Sequence, residues 1–144
     1  MAGTATLYTR DVLALAASLS EWPHDASLPL QGTARSATCG STLELGLDTD
    51  AAGRIVRLGL KAQACAIGQA SAALFARIAP GRDQAQIAAD LAALRSWMDQ
   101  SGSPPDWSDF PAIAAARDYP ARHGAITLAW QAALAALASA GKPG

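Results

Sequence analysis

The sequence is poor in the residues on which several protein classes depend. Two cysteines, Cys39 and Cys65, in 144 residues are too few for a disulfide scaffold. Charged residues make up only 16% of the chain, and 11 Lys and Arg against 12 Asp and Glu leave a net charge of −1. We therefore expect no nucleic-acid partner, because a basic patch is the usual mark of one. The hydrophobic fraction of 51% excludes a disordered chain.

Long apolar runs are missing as well. The stretch over residues 125–140 carries no charge, is rich in alanine, and is too short and too weakly apolar to span a membrane. Residues 1–10 contain no apolar run of the kind that precedes a signal cleavage site. We therefore expect no membrane association and a cytoplasmic protein with reduced thiols. Residues 1–144 are predicted to form a single domain, ordered from Tyr8 to about Leu137.

Motifs of common enzyme chemistries are also lacking. The chain has no glycine-rich nucleotide loop and no Ser/His/Asp order or carboxylate pair typical of hydrolases. The prediction is that the protein is not an enzyme. A thiol enzyme that uses the two cysteines as a redox pair is a distant alternative.

What the sequence does contain is a change of hydrophobic period along the chain. Alanine accounts for 36 residues, so the core must rest on Leu, Ile, Val and the four Trp. The periodicity predicts a helix over residues 8–19, a short extended segment over 31–37, strands around 43–48 and 56–61, and helices after Cys65. A short helix is also expected from Trp107 to Ala116. This order is typical of the α+β class, with a small antiparallel sheet covered by helices on one face.

The two clear strands predict an antiparallel hairpin. A turn centred near Ala51 would pair Asp48 with Arg54 and Thr42 with Leu60.

The same predicted strand pairing places the two thiols close together. Beyond the strand ends, Cys39 is expected opposite Gln63, two residues from Cys65. Because Cys65 precedes a helix, backbone N–H groups and the helix dipole favour its thiolate. Ser41 would face the same way as Cys39. Two thiols and an oxygen are half of a zinc or iron–sulfur site, whereas the alternative is a pair of small buried hydrophobes.

Three segments, residues 37–41, 64–71 and 120–130, carry a family resemblance. Read as Ala-Thr-Cys-Gly-Ser, Ala-Cys-Ala-Ile-Gly-Gln-Ala-Ser and Pro-Ala-Arg-His-Gly-Ala-Ile-Thr-Leu-Ala-Trp, they resemble the signature segments of the U-type iron–sulfur scaffold family (IscU/SufU-like, NifU N-terminal domain). The long stretch between the last two resembles an insertion of the SufU-like branch, to which the chain is most similar.

This resemblance implies a fold and a function. The implied fold is a three-stranded antiparallel sheet with helices packed on it. The implied function is to receive sulfur from a cysteine desulfurase and to assemble a cluster for apo iron–sulfur client proteins, or to relay the sulfur. The implied cargo is an iron–sulfur cluster or iron, with zinc as an alternative, and the chain is expected to be a monomer or a weak dimer.

Carried over by position, the resemblance assigns only two family ligands. Cys39 and Cys65 match the first and second cysteines. The family aspartate falls on Ser41, and the third cysteine falls on Ala125. The histidine of some branches falls on Gly124.

Two neighbouring residues complete the candidate site. His123 lies two residues before Ala125 and is a candidate auxiliary ligand, since neutral imidazole binds iron or zinc. Arg122 matches a family arginine beside the site. Either an external thiol joins Cys39, Cys65 and His123, or two protomers share a cluster. A metal-free adaptor or sulfur-relay protein that docks on a desulfurase stays open as the alternative function.

Overall fold

The computed structural model describes residues 7–37 and 40–140. The helices are α1 (Arg10–Ala17), α2 (Ala66–Ile78), α3 (Gln84–Met98), α4 (His123–Ile126) and α5 (Leu128–Ser139). The strands are β1 (Leu30–Arg35), β2 (Thr42–Thr49) and β3 (Ile55–Gln63). Three 3-10 helices, Ser18–Glu21, Phe110–Asp118 and Pro120–Arg122, complete the described elements. The predicted α+β class and the three-stranded antiparallel sheet, in the order β1-β2-β3, are confirmed.

Local chemistry explains where the helices begin. The Thr9 hydroxyl accepts a hydrogen bond from the Val12 amide at the start of α1. At α3, Asp83 and Gln86 form a capping box, in which each side chain accepts from the other's backbone amide. The short helix predicted from Trp107 to Ala116 starts later and is a 3-10 helix, Phe110–Asp118.

One face of the sheet packs against α5. Gly32, Leu45 and Leu60 are neighbours on this face, because Gly32 pairs with Leu45 and Leu45 pairs with Leu60. All three are buried. A Cβ atom at Gly32 would collide with the Ala132 carbonyl oxygen and lie 2.8 Å from the Ala136 amide nitrogen. The backbone of α5 therefore rests directly on β1, which only glycine permits.

The opposite face is crossed by a segment of the chain itself, residues 22–28, which we call the cover. Pro23 forms a parallel bridge with Leu60 at the outer edge of β3, where the Leu60 amide donates to the Trp22 carbonyl at 2.9 Å. The cover then passes over Gly59 and Gly46, and added Cβ atoms at these two glycines would meet backbone oxygens of the cover. The paired glycines thus let the cover lie close to the sheet.

The predicted hairpin register is wrong by three residues. Thr42 pairs with Gln63 rather than Leu60, and Asp48 pairs with Arg57 rather than Arg54. The turn is wider than expected because the Asp50 carboxylate accepts from the amides of Ala52 and Arg54, each at 2.9 Å. The register also shifts between Asp48 and Thr49, where the structure has a β-bulge.

The core lies between the sheet and the helices, with α2 at its centre. The helix α2 buries nine residues and contacts α1, α4 and α5. The aromatic residues stack beside it: the ring centroids of Trp107 and Trp130 are 5.5 Å apart, and Phe75 meets Trp130 edge-on at 5.3 Å. Over residues 7–37 and 40–140, no helix has the length and apolar character that a membrane crossing requires.

Candidate functional site

Cys65 lies where β3 gives way to α2, as predicted. It is the N-terminal cap residue of α2, with φ −65° and ψ 170°, and its thiol makes no capping hydrogen bond. The side chain is half-buried and is not in a disulfide. The backbone around it is held firmly, because the Gln69 amide donates to the Cys65 carbonyl at 2.9 Å and the Gln69 side chain donates to the Ala64 carbonyl at 3.1 Å. The thiol is therefore a free group on a rigid helix start.

The first signature segment approaches the same end of the sheet. Cys39 itself lies outside the described residues, but the residues on either side of its loop are described. The Ser36 amide donates to the Ser41 carbonyl at 2.8 Å, and Ser41 is buried. Thr42, the next residue, pairs with Gln63, two residues before Cys65. Ser36 and Ser41 therefore lie at the sheet end that leads into Cys65.

The predicted pairing of Cys39 with Gln63 is not what the sheet shows, because Thr42 occupies that register position. The error has the same origin as the hairpin error, which is the wide turn and the bulge at the far end of the strands.

The third signature segment packs on the first turns of α2. A Cβ atom at Gly68 would lie 3.1 Å from the Cβ of Ala125, and Ala125 is buried. One turn further along α2, the Ser71 hydroxyl donates to the Ile126 carbonyl at 2.7 Å, in a buried bond between residues 55 positions apart. The family's third-cysteine position is therefore adjacent to the helix start that carries Cys65, but a methyl group fills it here.

His123 and Arg122 are both engaged with the chain. The His123 Nε2 atom lies 2.9 Å from the Arg117 carbonyl oxygen. Since a carbonyl can only accept, Nε2 carries the proton, and the other ring nitrogen is the one left with a lone pair when the ring is neutral. The Arg122 guanidinium lies 6.0 Å from the centre of the Tyr8 ring. These contacts hold both residues at the start of α4.

No cluster of three or more His, Cys, Asp or Glu side chains that could hold a metal ion occurs in ranges 7–37 and 40–140. The described part of the chain therefore supplies one thiol, Cys65, and no ready-made set of ligands around it.

A depression of about 580 Å³ lies on the outer face of the sheet at this end. It is lined by Thr42 and Gln63 and by the charged side chains of Arg35, Glu44 and Lys61. Sequence reasoning missed these charges as neighbours of the site, because only the correct strand register places Arg35 beside Thr42 and Gln63.

The comparisons with solved structures agree with the resemblance. The N-terminal part of a nitrogen-fixing NifU-like protein from Brucella abortus superposes with a TM-score of 0.82 at 26% identity, covering 92% of each chain. A protein described as an iron–sulfur cluster assembly scaffold for the SUF system, from Fervidobacterium islandicum, superposes with a TM-score of 0.80 at 18% identity. That match covers 94% of this chain and 99% of the other.

Comparisons of sequence alone give no match. No family model matches the chain, and none of the curated proteins matches it.

Proposed function

This chain has the fold of the NifU-like N-terminal domain, and from that premise we propose that it is a scaffold-type protein of iron–sulfur cluster assembly. It accepts sulfur and iron at a cysteine site and passes them on to an acceptor. One observation carries the proposal: Cys65 starts α2 at one end of the sheet, Ala125 packs by Gly68, and Thr42, which directly follows the first signature segment, pairs with Gln63.

The sulfur step needs only a thiolate on this chain. The thiolate of Cys65 or Cys39 attacks the outer sulfur of a persulfide on a cysteine desulfurase. The new S–S bond forms as the donor's S–S bond breaks, and the donor cysteine leaves as a thiolate. The protein takes up the sulfur stoichiometrically and is regenerated when it passes the sulfur on, so we assign it no enzymatic turnover of its own.

The ligand set explains how the cargo is held. Cys39 and Cys65 are the proposed ligands for iron or for the cluster, with His123 as an auxiliary ligand. Ser41 and Ala125 stand where family members have ionisable ligands, and a methyl group cannot coordinate a metal. The remaining ligands therefore come from outside the chain, as an external thiol or as the cysteines of a second protomer. Zinc is the alternative cargo for the same thiolates.

A second candidate is a metal-free adaptor or sulfur-relay protein that docks on the desulfurase. The burial of Ala125 supports it, because that position is closed by packing against the start of α2 rather than left open for a ligand. Both candidates share a desulfurase as donor. They differ in whether apo iron–sulfur proteins receive a cluster. For either role we propose a cytoplasmic location, where thiols stay reduced.

Anaerobic reconstitution with ferrous iron and sulfide tests the scaffold role. We expect the wild-type chain to retain iron and to show the visible absorption of a cluster, and Cys65→Ser to lose both. Ala125→Cys should strengthen retention, because its sulfur would be added beside the start of α2. Ser103→Cys adds a thiol at an exposed position and is the matched control.

A colourless wild-type protein with no retained iron, at monomer and dimer concentrations alike, would remove the scaffold role. The adaptor hypothesis then predicts that a double variant, Cys39→Ala with Cys65→Ala, still binds the desulfurase. A relay is distinguished from an adaptor by transfer of labelled sulfur to the wild-type chain and not to the double variant.

A further inference from the structure

The strand β1 is the outer strand of the sheet on the side away from β3. One hydrogen bond shows which residues of β1 turn their backbone groups toward β2. The Ser36 amide donates to the Ser41 carbonyl, one position beyond the pair Arg35–Thr42, so Ser36 faces β2. In an antiparallel ladder, residues alternate between facing the partner strand and facing away. The backbone N–H and C=O groups of Gln31, Thr33 and Arg35 therefore point away from β2, toward the free side.

The backbone hydrogen bonds at the other edge of the sheet test this alternation. Leu45 pairs with both Gly32 and Leu60. If the groups of Leu45 face β1, those of Leu60 must face away from β2, and the Leu60 amide does donate outward to the Trp22 carbonyl. Both edges thus give the same alternation. The outward groups of β3 meet the cover at Leu60, whereas those of β1 meet no hydrogen-bond partner within residues 7–37 and 40–140.

The usual protections of a free edge are weak on β1. Exposed edges are commonly shielded by proline, lysine, a bulge or very short strands. The register of β1 on β2 runs unbroken over six pairs from Leu30 to Arg35, without a bulge. That stretch contains neither proline nor lysine, and Arg35 at its end carries its one charge. The edge therefore offers an unbroken row of backbone groups with which one more strand could pair.

The position of α5 decides what can occupy this edge. The backbone of α5 rests directly on Gly32, and α5 packs mainly over β1. A second copy that paired β1 with β1 about a two-fold axis would bring its own α5 beside this one, and packed helices need about 8–10 Å between axes. An isolated extended segment brings no helix with it and meets no such constraint, so it is the occupant that we favour.

A recess lies beside this edge. This recess, of about 310 Å³, follows Gln31, Gly32 and Thr33, with Ala135 of α5 on the helix side. His24 and Glu44 border it on the outer face of the sheet. A strand laid here would face Ala135 with alternate side chains that must be small or slender, and would face His24 and Glu44 with polar ones.

We propose that β1 is a docking edge for an extended segment of a partner protein, which adds to the sheet as a fourth strand. The main chain of the segment supplies the hydrogen bonds to Gln31, Thr33 and Arg35. Because Arg35, Thr42 and Gln63 lie side by side at the sheet end that leads into Cys65, the docked strand holds the partner beside the candidate thiol site. This proposal depends on backbone geometry and not on the thiol chemistry.

The first test is amide hydrogen exchange of the protein alone, followed by NMR. The amides of Gln31, Thr33 and Arg35 should exchange at least about a hundredfold faster than those of Gly32 and Ala34 after correction for intrinsic rates. Protection of all five amides in a monomer would mean that the chain covers its own edge, and protection in a dimer would mean that a second copy does. Either result overturns the proposal.

The second test selects binders from random peptides of about eight residues, long enough for one strand. We expect the selected peptides to slow exchange at Gln31, Thr33 and Arg35, and to lose binding when their alternate amides are N-methylated. Thr33→Pro should weaken binding at least about tenfold, because it removes an outward N–H that the fold does not use. Thr33→Ala keeps the donor and is the matched control.

Selection of no binder, or binders that protect other residues, would overturn the proposal. If Thr33→Pro fails to fold, the N-methylated peptides still decide the result. The variant Cys65→Ser should bind the peptides as the wild type does. A failure of the proposed thiol chemistry and a failure of this docking edge would therefore be seen separately.

Discussion

The two edge strands of the small sheet differ in whether their outward backbone groups are hydrogen-bonded. At β3, the strand lies beside the cover, and the hydrogen bond from the Leu60 amide to the Trp22 carbonyl closes part of the edge. At β1, a helix lies on the face of the strand, but the outward backbone groups of Gln31, Thr33 and Arg35 have no hydrogen-bond partner in the described ranges. Both strands lead toward the candidate site, since β1 runs into the Cys39 loop and β3 runs into Cys65.

The difference shows that the covering of a sheet edge and the packing of the core depend on different contacts. Glycines allow close approach of the backbone in both places. Gly32 lets α5 reach β1 and so belongs to the core, whereas Gly59 lets the cover lie on β3 and so belongs to the edge. Substitution of each glycine should therefore distinguish the two kinds of contact.

The largest expected effect is at Gly32. Gly32→Ala places a methyl group against the Ala132 carbonyl and the Ala136 amide, so α5 must move off the sheet. We expect a loss of about 3 kcal/mol in the free energy of unfolding, measured by urea denaturation. The exposed Thr33→Ala on the same strand is the control and should change stability by less than about 0.5 kcal/mol. A tolerated Gly32→Ala would contradict the close packing of α5 on β1.

A smaller effect is expected at Gly59. Gly59→Ala meets the Pro23 carbonyl, but the cover can shift outward into solvent more easily than α5 can. We expect a loss of about 1–2 kcal/mol, which is close to the value of a few lost hydrogen bonds. The amide of Leu60 should lose exchange protection while that of Ala34 keeps it. Equal loss at both amides would mean that the two edges are coupled rather than independent.

Removal of the Gln31 side chain should have a weaker effect again. Its amide nitrogen donates to the carbonyls of Asp25 and Leu28, at 3.1 and 2.9 Å, and so ties the cover to β1. Gln31→Ala is expected to cost about 0.5–1 kcal/mol, because these bonds are partly exposed. Thermal denaturation would measure the loss, with Gln84→Ala at an exposed position of α3 as the control. No change in Gln31→Ala would show that the glycine contacts alone hold the cover.

The smallest effect is a dependence on pH that is confined to the cover. The hydroxyl and then the amide of Ser27 donate to the Asp25 carboxylate, and together with Arg57 they lower its pKa below the usual 3.8. Because the folded-state pKa is depressed, this contribution to stability is present above pH 3.8 and is lost as the pH falls through the lowered pKa.

Amide exchange between neutral and acidic pH would follow this titration. Protection of the Leu60 amide should fall in acid relative to that of Ala34, and Asp25→Asn should abolish the difference between the two pH values. Parallel behaviour of both amides in the wild type would contradict a titration local to the cover.

The sequence alone indicated most of the fold. Alternation of Leu43, Leu45 and Leu47 with polar residues identified β2, because a half-buried strand has a period of two. The helical period after Cys65 identified α2 for the same kind of reason. Strand register was beyond reach, because side-chain alternation repeats along the strand and does not say how wide the turn is. The Asp50 turn and the bulge at Thr49 settled that question.

The candidate site was predictable in part. The position of Cys65 at a helix start followed from the change of period, and the place of Ala125 beside α2 followed only from the family resemblance. The bond from His123 to the Arg117 carbonyl and the charges of Arg35 and Lys61 near the site were not predictable. They depend on contacts between elements that are distant in sequence.

The amino-acid sequence by itself determined most of the strands and helices, because these follow from local period and residue type. That the two thiols belong to signature segments is what the family resemblance implies. Only the tertiary structure decided that Ala125 packs against the start of α2, that one edge of the sheet is partly covered, and that the other makes no outward hydrogen bond within residues 7–37 and 40–140. The reason is that packing and edge pairing depend on distances between segments, and those distances are set only when α5 settles on Gly32 and the cover crosses Gly59.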